Sequence, residues 1–324
     1  MQSEFNLIKE YFTRPVKDTD LGVGDDAALI TLSPKHQLAI STDMSVAGTH
    51  FFNDCPPYFI GWKSLAVNIS DMAAMGATPK WATLAIALPD VDKDWLSEFS
   101  RGFFACANYF DVSLIGGDTT RGPLNISVQI MGEIPDGKSL RRDGAKVGDE
   151  IWVSGSLGGA ALAVYKIQQN TFDTNKPSDQ CLLEKLQHPQ PRVSLGLALR
   201  GIANSAIDVS DGLIADLGHI LECSNLGATI HWPKLPHFDS LHENLSIESI
   251  QSFTLTGGDD YELCFTASSQ RHSDIINIGK SLGITLSQVG IIKADEGLTV
   301  LDDRNNPISI KGSGYDHFKT SKNA

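Results

Sequence analysis

The chain has 324 residues, 41% of them hydrophobic, and a formal net charge of −13 at pH 7. That length suits two domains of about 150 residues each, and the acidic balance argues against nucleic-acid backbones and anionic membranes, which need concentrated Lys and Arg. Cys55, Cys106, Cys181, Cys223 and Cys264 form no CxxC pair, so neither a disulfide framework nor a zinc motif is expected, and with no apolar run of about 18 residues the reading is a cytoplasmic protein.

Residues 3–12 place Phe5, Leu7, Ile8, Tyr11 and Phe12 at helical spacing behind Ser3, a candidate N-cap. GVGDDAALITL (22–32) predicts a loop entering a strand near Ala27, and QLAIST (37–42) a second strand, followed by the turn-rich VAGTHFFNDCPP. From Phe59 to Met75 the apolar positions Trp62, Leu65, Ala66, Ile69, Met72 and Ala73 recur at the helical period, which puts Asp71 near a helix C-terminus. KWATLAIALP predicts a buried strand stopped by Pro89, and Asp92 caps a helix to about Phe110. VSLIGG predicts a short strand ending in Gly-Gly-Asp, NISVQIMGEI another, and Pro135-Asp136-Gly137 the exit from a first domain.

The predicted organisation is therefore residues 1–137, a polar linker over 138–150, and a second domain over 151–324. The second half reads strand, glycine loop and helix from EIWVSGSLGGAALAVYKI, then a mobile loop over 169–179 and the helical RVSLGLALRGI. Strand AIDVS, helix GLIADLGHILECS, strand ATIHW and a Pro-punctuated region to about Ser252 come next. Strand YELCFTA, helix RHSDIINIGKSLG and a closing strand pair, ITLSQVGII with GLTVL, complete it. Strands alternating with helices predict an α/β protein in both halves. One echo hints at related halves: Ser70-Asp71 precedes Gly116-Gly117-Asp118, and Ser210-Asp211 precedes Gly257-Gly258-Asp259, at aspartate spacings of 47 and 48 residues.

Asp26, Asp43, Asp71, Asp118, Asp208 and Asp211 each stand at the end of an apolar run among Gly, Ser or Thr. Carboxylates gathered in a cleft repel one another unless a cation intervenes, and hard divalent cations with oxygen ligands are the usual solution. Together with the hydroxyls or carbonyls of Ser41 and Thr42 these acids point to a magnesium–phosphate site, although any one of them taken alone is also a turn former or a cap. Gly116-Gly117 would let backbone approach a phosphate, and Gly155–Gly159 could be a second anion cradle. The one Gly-Lys-Ser, Gly279-Lys280-Ser281, has Asp274 where a P-loop needs its first glycine, so any ATP binds on another fold. Arg142 is either a phosphate clamp or a solvated charge. His50 has no HxxxH or HExxH partner, and Tyr315 could close over a flat substrate or anchor the tail.

GDDAA, AISTD, AGTHF, NISDMAAMGA, IGGDTTRGP, DVSDGLIADL, GGDDYELCF and KGSGYDHF, in this order over residues 5–318, resemble the thiamine-monophosphate kinase family. Its superfamily also holds the aminoimidazole ribonucleotide and selenophosphate synthetases. The resemblance implies two α+β-type domains within an α/β architecture, an N-terminal mixed sheet that pairs in a homodimer, and a C-terminal α/β domain completing the substrate site. It further implies transfer of the ATP γ-phosphoryl to thiamine monophosphate with several magnesium ions. Carried over by motif, magnesium ligands fall on Asp26, Ser41, Thr42, Asp43, Asp71, Asp118, Asp208 and Asp211, with Asp43, Asp118 and Asp211 in the catalytic role. ATP contacts fall on Gly117, Asp118, Arg142 and Ser210, and thiamine-phosphate contacts on His50, Asp259 and Tyr315. Asp259 stands where the family usually has Glu. A selenophosphate synthetase is disfavoured, since its reactive Cys near the amino terminus has no counterpart and the first cysteine is Cys55; a ring-closing synthetase and a magnesium-nucleotide sensor are the alternatives.

Overall fold

The computed structural model describes residues 4–242, 245–310, 312, 314 and 315. The chain divides into two compact units, Met1–Ser139 and Leu140–Ala324.

The first unit opens with helix α1 (Glu4–Leu7), which continues as a π-helical turn over Ile8–Phe12; Ser3 lies outside the described residues. The expected strand near Ala27 is not formed. Residues 21–29 instead make a loop pinned by isolated pairings of Leu21 with Leu29 and Val23 with Asp25. Strand β1 (His36–Val46) is followed by α2 (Pro57–Ala74), β2 (Thr78–Leu88), α3 (Lys93–Tyr109), β3 (Ser113–Arg121) and β4 (Asn125–Pro135). The Asp92 carboxylate accepts from the amides of Asp94 and Trp95, the predicted cap of α3.

The strands form one sheet in the order β1-β4-β2-β3, parallel for β2 with β3 and antiparallel elsewhere. One face is covered by α2 and α3, whose stripe of Leu65, Ile69, Leu96, Phe99 and Phe103 is fully buried. These helices touch backbone to backbone: a Cβ at Gly61 would lie 2.1 Å from the Phe99 carbonyl oxygen, and one at Gly102 1.8 Å from that of Tyr58. That contact seats α2, and with it Asp71, against the sheet.

In the second unit, residues 142–144 form a short 3-10 turn, and Leu140 and Ala145 are buried. Then come β5 (Glu150–Ser154), α4 (Gly159–Gln168), α5 (Pro177–Gln187), α6 (Val193–Ala198), β6 (Ser205–Asp208), α7 (Leu213–Ser224) and β7 (Gly227–His231). Helix α8 (Ile247–Thr256), β8 (Leu263–Ala267), α9 (His272–Leu282), β9 (Leu286–Lys293) and β10 (Gly297–Leu301) complete it. The sheet order is β10-β7-β9-β5-β8-β6. Its pairs are antiparallel except β10 with β7, so β7 lies between β9 and β10, which do not pair with each other as expected. Helix α8, absent from the sequence reading, is capped by the Ser246 side chain accepting from the Ser249 amide. The segment expected to be a mobile loop is tied down: Asp179 is buried and pairs with Lys166, and it accepts from the Asp173 amide at 2.9 Å.

Candidate active site

In the first unit, alternation along β1 turns Ser41 and Asp43 to one side and Thr42 to the other. Ser41 Oγ donates to Asp71 Oδ2 at 2.5 Å, from β1 to the last turn of α2. The Asp43 amide donates to Asn68 Oδ1 at 3.1 Å, and Asn68 Nδ2 donates to the Ser64 carbonyl at 3.0 Å. Asn68 is fully buried; it is a supporting residue missed in the sequence, although it lies one turn before Asp71 on the same helix face. Burial, with the charge of Asp71 added, pushes the Asp43 carboxyl up to about 6. Two half-buried acids and a hydroxyl converging from a strand and a helix, with repulsion raising one of them, are the donor set a hard cation relieves.

Thr42 Oγ1 accepts from Gln129 Nε2 of β4 at 3.4 Å, away from that pair. His50 sits in the turn after β1, where its Nδ1 accepts the Val46 amide at 3.0 Å, which leaves the ring proton on Nε2.

Asp26, Gly117 and Asp118 come together on a second wall of the same unit. All three line a cavity of about 570 Å³, with Phe5, Ile8 and Ala27 among its apolar lining. The Gly-Gly-Asp run does not end β3 but lies within it, because the parallel pairing with β2 continues from Ser113 to Arg121. A register shift between Ala82 and Thr83 of β2 leaves Ile115 as an extra residue in β3, and such bulges re-aim the side chains beyond them. Gly117 has φ +151°, and a Cβ there would lie 1.9 Å from the Leu84 carbonyl oxygen. The neighbour that demands a glycine is therefore β2.

In the second unit Asp208 ends β6, and Ser210 and Asp211 occupy the loop into α7. The Asp259 amide donates to the Ser210 carbonyl at 2.8 Å, and the Tyr315 amide to the Asp211 carbonyl at 3.0 Å, so these four residues form one loop cluster. Asp259 has φ +67°, and its carboxylate accepts from the Tyr261 hydroxyl at 2.9 Å. Arg142 is not drawn in. Its carbonyl accepts from Ser224 Oγ at 3.1 Å, at the C-terminal end of α7, whereas Ser210 precedes the N-terminal end, about 18 Å away for a helix of this length.

Two corrections follow. The Gly155–Gly159 turn is no vacant anion cradle, since the Gly158 amide donates to both oxygens of Asp260, at 3.1 and 2.9 Å. Burial, with the charge of Glu262 adding to it, holds the Asp260 carboxyl well above the usual range. The echo between the halves has no structural counterpart either: Asp71 ends a helix and Asp118 lies within a strand, whereas Asp211 and Asp259 are in loops. Among the described residues, no group of three His, Cys, Asp or Glu side chains could hold a metal by itself.

Residues 24–134 match the model of AIR synthase related protein, N-terminal domain, and residues 146–303 that of AIR synthase related protein, C-terminal domain. The chain is 46% identical over 321 residues to thiamine-monophosphate kinase of Escherichia coli K12, covering 98% of each. It belongs to the thiamine-monophosphate kinase family. A crystal structure of the family member from Stenotrophomonas maltophilia K279a superposes with a TM-score of 0.84 at 47% identity, covering 87% of this chain and 91% of that one. The solved complex of AaThiL with AMPPCP and TMP matches with a TM-score of 0.77 at 27% identity, over 88% of this chain and 89% of the other. Among the described residues of this family member, no helix is long and apolar enough to cross a membrane.

Proposed function

We propose that this cytoplasmic protein transfers the γ-phosphoryl of ATP directly to the phosphate of thiamine monophosphate, giving thiamine diphosphate and ADP. The observation that carries this reading is the meeting of Asp43, Asp71 and Ser41 in a chain that is kin to thiamine-monophosphate kinases along almost its whole length. The complex of a family member with AMPPCP and TMP supports both substrates, AMPPCP being an ATP analogue.

Magnesium is assigned to Asp43, Asp71 and Ser41, to Thr42 on the opposite side of β1, to Asp26 and Asp118, and to Asp208 and Asp211. Magnesium typically takes one or two carboxylates and completes its shell with water and substrate phosphates, so sets smaller than three acids fit it. Bound there, it would neutralise charge on the transferring phosphoryl group. The acceptor phosphate is already an oxyanion, so the side chains have no strong base to supply, and their work is positioning. His50, Asp259 and Tyr315 are assigned as the contacts of thiamine monophosphate. Gly117, Asp118, Arg142 and Ser210 are assigned to ATP.

Residues 1–137 take the nucleotide and magnesium, 138–150 connect, and 151–324 complete the substrate site. The protein acts as a homodimer paired through the first unit's sheet. In support, β1 ends the sheet order and exposes Ile40 at 56% and Met44 at 55%.

The test is phosphorus NMR of the protein with ATP, magnesium and either thiamine monophosphate or thiamine. New diphosphate resonances and ADP with the monophosphate alone are expected; ADP without thiamine diphosphate, or no ADP, would overturn the reading.

A further inference from the structure

The loop between β6 and α7 spends all of its backbone groups inside the chain. The Val209 amide donates to the Glu262 carbonyl at 2.8 Å, and the Tyr261 amide to the Val209 carbonyl at 2.8 Å. The carbonyls of Ser210, Asp211 and Gly212 accept from the amides of Asp259, Tyr315 and Asp216, at 2.8, 3.0 and 3.0 Å. The three remaining amides converge on one atom: Oδ2 of Asp216 accepts from Ser210 at 3.0 Å, Asp211 at 3.1 Å and Gly212 at 3.1 Å. Successive amides pointing at one spot before a helix are the geometry that binds phosphate in many proteins. Here the occupant is a carboxylate of the same chain, only 3% exposed.

With its amides taken, the loop has no N–H left for a phosphate, while the carboxylate of Asp211, that of Asp208 at the end of β6 and the Ser210 hydroxyl are oxygen groups of the kind a hard cation takes. It is thereby matched to a cation. We propose that Asp216 is a positioning residue: it fills the amide nest of Ser210–Gly212, denies that nest to phosphate, and fixes the loop so that Asp208 and Asp211 are presented to magnesium. This rests on the magnesium assignment above. It also makes the Ser210 contact with ATP a hydroxyl contact. Asp216 is the last acid of the DVSDGLIADL run, where no role had been assigned to it.

The test compares Asp216→Ala, Asp216→Asn and Asp216→Glu in the full-length protein. Three readouts are taken: free magnesium at half-maximal activity, Mn²⁺ affinity by electron paramagnetic resonance, and hydrogen exchange at the amides of residues 210–212. Asn keeps an acceptor oxygen in place without the charge, while Glu keeps the charge and moves the acceptor by one methylene. The Ala and Glu variants are expected to raise the magnesium requirement and weaken Mn²⁺ about tenfold, ~1.4 kcal/mol, and to expose the three amides to exchange. The Asn variant should stay within about threefold of the parent, ~0.65 kcal/mol. Wild-type metal affinity in the Glu variant, or metal loss in Asn with Glu unaffected, would overturn the proposal. The Mn²⁺ and exchange readouts need no turnover, so an inactive parent protein would refute the kinase reading while leaving Asp216 decidable.

Discussion

The acids of the first unit face each other, and those that hold the second unit's loops face the chain's own amides. Asp43 and Asp71 meet across β1 and α2 with a serine hydroxyl between strand and helix. Asp216 and Asp260, also in acid-rich surroundings, instead accept from backbone N–H groups of residues 210–212 and 158. Residue type is the same and so is the direction of the pKa shift, upward for Asp43, Asp216 and Asp260. What separates them is the partner. Asp43 is raised by burial and by the charge of Asp71, a repulsion that a cation relieves, whereas the oxygens of Asp216 and Asp260 are already engaged by amides, which offset part of the cost of burying them.

The strongest way to break this comparison is Asp43→Asn. Its turnover at saturating magnesium should fall about a thousandfold, the ~4 kcal/mol expected when metal support of a phosphoryl transfer is withdrawn; near-normal steady-state turnover would remove Asp43 from the catalytic set. Next is Gly117→Ala. The added Cβ would lie 1.9 Å from the Leu84 carbonyl oxygen, and forcing β2 and β3 apart should cost about 3 kcal/mol in denaturant unfolding. A stability equal to the parent's would show that the Gly-Gly-Asp run is not held by β2.

On the amide side of the comparison, Asp260→Ala should cost about 1–3 kcal/mol by stranding the Gly158 amide. Asp260→Asn should be close to neutral, because it retains an acceptor and sheds a buried charge. Both are measured by urea denaturation, and equal losses in the two variants would make charge rather than hydrogen bonding the important term. Among effects on activity, the smallest is expected from Asp259→Glu, which lengthens the acid by one methylene. With Asp259 held by the Tyr261 hydroxyl, KM for thiamine monophosphate should move by about tenfold or less, ~1.4 kcal/mol at most, and steady-state kinetics with that substrate decide it.

Much of this architecture was legible in the sequence because it rests on period. The stripe from Trp62 to Ala73 predicted α2 and placed Asp71 at its end, and Asp92 announced α3. The illegible parts depend on partners distant in the chain. β3 runs through Gly116-Gly117 only because β2 pairs alongside it, and residues 24–32, strand-like in composition, lack a continuous neighbour. Helix α8 was hidden by the prolines at 233 and 236 upstream, although Ser246 with Ile247 and Ile250 carried a cap and an apolar spacing. Asn68 looked like one more helical polar residue, and nothing local to Asp216 or Asp260 says which amides they will meet. The motif acids were found as candidates, but sorting those that face charge from those that face amides required the fold.

The direct test of that sorting is the melting temperature of Asp43→Asn against the parent protein, with and without magnesium plus ADP. The folded-state pKa of Asp43 is raised from 3.8 to about 6, so its ionised form costs stability above about pH 6, and that cost vanishes below the unfolded value. Without metal at pH 8 the variant's folded state should therefore be favoured by on the order of 2 kcal/mol and melt higher, and this advantage should disappear near pH 4. Adding magnesium and ADP at pH 8 should reverse the order, since only the parent gains the full stabilisation of bound metal. A variant that melts below the parent without metal, or that gains as much from magnesium as the parent does, would contradict the account.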